Sequence, residues 1–148
     1  MPANIDPIYS RTPDVQVGGA ILGPTAITAQ DGTGALPLIF TADATEGSWV
    51  ESVTLKSVLS PALTVGRIFL CTATGAYTPG TTNTVVNTAM IREISLPVIT
   101  TSNTVAQTDF EIPIRKFLPA SMKLLIGFGT STGAAGTGYA VTTWGGKL

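Results

Sequence analysis

From Leu36 onward, apolar and polar residues alternate in short runs with a period of two, the spacing that gives a half-buried strand. Leu36 to Ala42 (LPLIFTA) is a short apolar run that ends in the polar stretch Asp43 to Ser48. Trp49 to Leu59 alternates, with Trp49, Val53, Leu55 and Leu59 on one face and Ser52, Thr54 and Lys56 on the other. Glu51 and Ser57 interrupt the first face, and Val50 and Val58 the second. Leu63 to Thr72 is apolar on both faces, as expected of a central strand covered on both sides. Val85 to Leu96 is extended in character. Thr108 to Ile114 turns Phe110, Ile112 and Ile114 one way, and Met122 to Phe128 does the same with Met122, Leu124, Ile126 and Phe128. Gly138 to Trp144 is the last run.

Turn-rich segments separate these runs, among them AYTPGTTNT, TTSN and TSTGAAGTG. Short strands punctuated in this way signal a sandwich or barrel. No window carries a 3.6-residue repeat with caps, and prolines and β-branched residues are frequent. The expectation is an all-β chain: an antiparallel, jelly-roll-like β-sandwich of about seven or eight strands.

The first thirty-five residues differ. Pro2, Pro7, Pro13 and Pro24 punctuate them, with Ile5, Ile8, Tyr9 and Val15 as single apolar anchors between. Proline fixes φ and removes a backbone donor, which suits an extended segment better than a central strand. One reading is a tail or edge strand folded along its own domain. The other is an arm that docks on a neighbouring subunit, since its apolar anchors are numerous for a free tail. The expected division is an extended N-terminal arm over 1–35 and a sandwich over 36–148.

Composition narrows the function. There is no histidine and one cysteine in 148 residues, so neither an imidazole base nor a His- or Cys-rich zinc site can be assembled. Charged residues make up 11% of the chain, against about 25% in ordinary domains. Twenty-four threonines take their place, and such a surface is suited to facing protein. The net charge of −1 leaves no electrostatic footprint for nucleic acid. No apolar run approaches the ~20 residues that span a membrane. MPANIDPIYSR lacks the basic start and apolar stretch of a secretory signal.

The chemical candidates each have a plain structural reading. Asp31-Gly32-Thr33-Gly34 reads as a tight turn; a paired-aspartate protease would need a second copy. Asp109 and Glu111 fall on one face of a strand, which is the solvated side of an amphipathic strand, a cation site or an intersubunit ion pair. A glycosidase would also need such a pair. Asp43 and Glu46 sit in a turn with Gly47. Gly127 to Gly138 lacks the lysine and following helix of a phosphate loop and reads as a flexible hairpin. Cys71, in an apolar strand, reads as a small buried hydrophobe. Trp49 and Trp144 read as core or interface filler, with sugar stacking as the other possibility. Arg67 and Arg92 stand in apolar strands and require a carboxylate or a partner, with Glu51 and Glu93 available.

Several segments together resemble a known group. They are NIDPIYSR at the start, FTADATEGS, EISLP, FEIPI, LPASMKLL and the ending YAVTTWGGKL. In order, over nearly the whole chain, they resemble a family of small tailed-bacteriophage virion proteins similar to head decoration, or cement, proteins. The segments are structural and none is catalytic. The chain departs from the pattern over Ala73 to Thr84, a long Thr-rich loop. The resemblance implies a non-enzymatic structural protein without cofactor or metal, on the capsid exterior of a virion and made in the host bacterial cytoplasm. Its implied partners are the major capsid protein and further copies of itself, as a homotrimer. Nucleic acid, membrane and small-molecule substrates are not implied. The expected partner contacts are Ile5, Ile8, Tyr9, Arg11 and Val15 of the arm and Tyr77 of the loop, with strand edges as the other option. A tail, baseplate or fibre component and a carbohydrate-binding sandwich remain alternative readings.

Overall fold

The computed structural model describes residues 12–148. Eight strands account for its regular structure: β1 (Thr12–Val17), β2 (Leu38–Thr41), β3 (Ser48–Val58), β4 (Thr64–Cys71), β5 (Thr88–Leu96), β6 (Phe110–Leu118), β7 (Lys123–Phe128) and β8 (Gly138–Lys147). Strands β2 to β8 match the seven runs of the hydrophobic pattern. They form two four-stranded antiparallel sheets, β1-β8-β3-β6 and β2-β7-β4-β5.

The order has a simple origin. The pairs β1·β8, β2·β7, β3·β6 and β4·β5 are those of one long hairpin with its tip between β4 and β5. Rolling that hairpin adds the pairs β3·β8 and β4·β7. The result is a jelly roll, the all-β antiparallel sandwich that the alternation predicts.

Between the sheets lies the main core. Val50, Val53, Leu55, Ile112, Tyr139 and Val141 face Phe40, Ile68, Leu124, Ile126 and Phe128. Each such side chain contributes about 1.5–3 kcal/mol by leaving water. The Tyr139 ring stacks on Phe128 with centroids 5.7 Å apart and meets Phe110 edge-on at 6.3 Å.

A second cluster covers the outer face of β4 and β7. There Phe69, Cys71 and Leu125 meet Ile27 and Leu36, with Tyr77 alongside. Strand β4 is thus covered on both faces, as its two-sided apolar run predicts. Gly127 permits the approach, since a Cβ there would lie 2.8 Å from the Leu36 side chain.

Three expectations are corrected. Residues 12–35 are not an extended arm. Thr12–Val17 pairs along β8, Leu22 exchanges backbone hydrogen bonds with Tyr139, and Leu22 and Ile27 are buried. This is the own-domain reading of the segment, and the boundary at residue 35 does not divide these residues from the sandwich. The glycine-rich segment after β7 is not a hairpin, because β7 and β8 belong to different sheets and it crosses between them.

The third correction concerns Trp49, which does not share a face with Val53 and Leu55. Val50 pairs Gly145 and Ser52 pairs Trp144, so Glu51 is an extra residue against β8. The bulge reverses the alternation: Val50, Val53 and Leu55 are buried, and Trp49 is turned outward.

Candidate functional site

The outer face of the β1-β8-β3-β6 sheet has no layer over it among the described residues. Cross-strand register sets its rows. Pro13, Gly146, Trp49 and Phe117 lie across one row, and Val17, Thr142, Thr54 and Glu111 across another. Between them, Val15 pairs Trp144. Five large apolar side chains are therefore exposed on one face: Val15 (47%), Val17 (70%), Trp49 (38%), Phe117 (47%) and Trp144 (47%). These side chains form an apolar band from edge to edge of the sheet, the kind of exposed patch that interaction sites carry.

Most of the charged and indole groups of this face are partnered within the chain. Trp49 Nε1 donates to Glu51 Oε2 at 3.1 Å, and Trp144 Nε1 donates to Thr54 Oγ1 at 2.8 Å. Arg115 Nε lies 3.1 Å from Glu51 Oε1. The hydrogen bond from Trp49, with Arg115 beside it, holds the Glu51 carboxyl below its ordinary range. Arg115 reaches Glu51 from a left-handed backbone conformation, φ +49°, opposite the bulge. Lys56 Nζ binds Asp109 Oδ1 at 2.6 Å and the Gln107 carbonyl at 2.9 Å. Asp109 and Glu111 thus belong to the solvated outer side of β6, and Asp109 finds its cation inside the chain.

A second exposed apolar region lies at one end of the roll. The β3–β4 loop carries Leu59 and Leu63, and the β5–β6 loop carries Val98 and Val105, each more than half exposed. Ile99 N donates to the Pro61 carbonyl at 3.1 Å, and Ser60 and Thr101 share a hydrogen bond of 3.3 Å, so the two loops are joined. Leu59 adopts φ +55°, which costs a β-carbon residue of order 1 kcal/mol and fixes the exit from β3.

Of the expected contact residues, Ile5, Ile8, Tyr9 and Arg11 lie outside the described residues. Val15 and Tyr77 are not brought together. Val15 is on the exposed sheet face, whereas Tyr77 packs on the opposite sheet against the second core cluster. The Tyr77 hydroxyl donates to the Leu36 carbonyl, and burial pushes its pKa up. Its hydroxyl is used inside the chain.

The loop around Tyr77 is organised by Asn83, which is 3% exposed. Its amide donates to the carbonyls of Gly32 and Gly34 at 2.7 and 2.8 Å, and its oxygen accepts from Gly80 N at 2.9 Å. Cys71 is fully buried in the cluster that Tyr77 packs against, with its Sγ 3.9 Å from Asn87 Oδ1.

The remaining candidates resolve into structure. Asp31 Oδ1 accepts from Thr33 N at 3.0 Å, closing a turn at Gly32, whose φ is +89°. Asp43 Oδ1 accepts from the backbone of Thr45 and Glu46 in the β2–β3 turn. Arg67 pairs with its cross-strand neighbour Glu93 at 3.0 Å, and Arg92 Nε donates to the Pro113 carbonyl at 3.1 Å. Among the described residues, no three Cys, Asp or Glu side chains cluster in a way that could hold a metal ion.

Sequence reasoning missed Val17 and Phe117. The signal for Val17 was present in the alternation of TPDVQV. The signal for Phe117 was hidden by the irregularity at Arg115. No protein-family model, curated protein or solved structure matches this chain.

Proposed function

We propose that this chain is a structural protein of a tailed bacteriophage, a capsid decoration or cement protein that binds the head exterior. It stabilises contacts between major capsid subunits and performs no catalysis. The observation that carries the reading is the pair of separate exposed apolar regions, one on a sheet face and one at the loop end. A protein that joins a shell and its own neighbours needs two such surfaces. The low charge of the chain and the jelly-roll order, an architecture that also builds viral capsids, support it by analogy of fold.

On this reading the work is mechanical. A rolled sandwich with its backbone groups paired resists deformation, and many copies acting together give avidity where each contact is modest. The partners are the major capsid protein and further copies of this chain, as a trimer at local threefold positions. The location is the virion exterior after synthesis in the host cytoplasm. The test is to mix the purified chain with undecorated capsids and measure co-sedimentation. Saturable binding supports the reading, and binding to tails instead would favour a tail or fibre role.

The exposure of Trp49 and Trp144 favours a second reading, a carbohydrate-binding face. Glycan titration with indole fluorescence distinguishes it, since stacking on a sugar would quench the emission.

A further inference from the structure

The outer face of the β1-β8-β3-β6 sheet, centred on Val15, Trp144, Trp49 and Phe117, has the properties of a self-association surface. We propose that copies of this chain pack on one another through it. The inference deepens the decoration reading by naming the surface that its expected homo-oligomer would use.

Three observations argue for a second copy as the occupant. The first is charge. A face that meets itself must not repel itself, and this one carries Lys56 and Arg115 against Glu51, Asp109 and Glu111, with two contacts already made internally. A foreign partner recognised by charge would require a surface of one dominant sign.

The second is the state of its polar groups. Both indole N–H groups and the Glu51 carboxylate at the centre of the face are satisfied within the chain, so covering that centre strands none of them, and Glu111 stands at the β6 edge, where a rim charge keeps its water. A sugar would need those same groups open to receive its hydroxyls. A dry apolar contact does not.

The third is size. Four strands at about 4.8 Å spacing, with the longest near ten residues at about 3.3 Å each, give a footprint of roughly 600 Å². Two such faces together cover about 1,200 Å², where specific stable interfaces begin. Tryptophan and phenylalanine at the centre are the side chains that anchor such contacts. Around a threefold axis each face is divided between two neighbours, so a pair covers about 600 Å² and the trimer about 1,800 Å² in all.

The test is sedimentation equilibrium of the full chain in the absence of capsids. The expected mass is three times the 15.2 kDa chain. Val17→Lys and Trp144→Lys should each reduce it to the mass of one chain. Val17 is 70% exposed, so its substitution leaves the core intact, and an unchanged circular dichroism melt checks that. Val86→Lys, at a position 91% exposed in the β4–β5 loop, should leave the oligomer whole. A monomeric parent chain overturns the proposal, as does an oligomer indifferent to both face substitutions or broken equally by Val86→Lys. Co-sedimentation with capsids reads the decoration role separately. A parent chain that self-associates yet ignores capsids would sink that role and leave this surface standing.

Discussion

The side-chain amide of Gln16 hydrogen-bonds both backbone groups of Thr41, Oε1 accepting from the N–H and Nε2 donating to the carbonyl, each at 2.9 Å. Gln16 stands on β1 and Thr41 on β2, the edge strands of opposite sheets. One glutamine therefore supplies the pairing that a neighbouring strand would, and clasps one open seam of the roll. On the other side, between β5 and β6, the seam is bridged by the Arg92 to Pro113 contact, and a groove of about 410 Å³ remains.

Removing the clasp should loosen β1 first. Gln16→Ala is expected to cost about 1–2 kcal/mol in urea unfolding, from the two unmade hydrogen bonds. Gln16→Glu should cost more, because a carboxylate cannot donate to the Thr41 carbonyl and stands near Asp14. Amide exchange in β1 should accelerate in both, ahead of exchange in β3 and β8. Equal protection of β1 in the parent and variant chains would contradict the assignment.

Asn83 bonds Tyr77 and ties its loop, and Tyr77 packs against the cluster that holds Cys71. Asn83→Ala strips that loop of an amide that ties residues 32–34 to residue 80, and should cost roughly 1–3 kcal/mol for the groups left unpaired. Cys71, fully buried, should react slowly with a thiol reagent in the parent chain and at least several-fold faster in Asn83→Ala. Rapid labelling of the parent chain would show that the loop does not close.

Tyr139 is buried, and its hydroxyl has no hydrogen-bond partner among the described residues. Burial pushes its pKa up, and the ring itself is held by Phe128 and Phe110. Tyr139→Phe keeps the aromatic contacts and removes the unpaired group, so the melting temperature should stay level or rise, by about 1 kcal/mol equivalent at most. A clear loss of stability would mean that the hydroxyl has a role in the folded state.

Acid should weaken the fold in a defined window. Hydrogen bonds from Thr33 hold Asp31 below its ordinary 3.8, those from the Thr45 and Glu46 backbone do the same for Asp43, and Trp49 and Arg115 hold Glu51 below 4.5. Because these folded-state values are depressed, the stabilisation is present above the ordinary values and is lost as pH falls through the lower ones. With no histidine in the chain, imidazole adds no titration near neutrality. Unfolding free energy should therefore be level from pH 8 to about 5 and fall below about 4, and Asp43→Asn should flatten part of that fall. A transition centred near pH 6.5 would contradict this.

Much of the fold was legible because alternation with period two reports burial directly. β2 to β8 follow from runs such as Phe110, Ile112, Ile114 and Leu124, Ile126, Phe128, whose inward faces are those that the spacing gives. Strand order was not legible, since it rests on pairings such as β1 with β8 across more than a hundred residues. Nor was the bulge at Glu51, because no residue type is obligatory there, and it moved Trp49 to the surface. Val15 was identified as a contact residue from its isolation among polar neighbours, and it lies exposed on β1. Tyr77 was chosen for the loop it sits in, but its hydroxyl closes on Leu36, a contact that no local pattern announces.

The central claim concerns where the chain sits in a virion, and a cryo-EM reconstruction of virions, or of capsids mixed with this chain, addresses it most directly. The account predicts jelly-roll density on the head exterior at local symmetry axes, with the loops bearing Leu59, Leu63, Val98 and Val105 against the shell. A bare head, with the protein on the tail or absent, would contradict it.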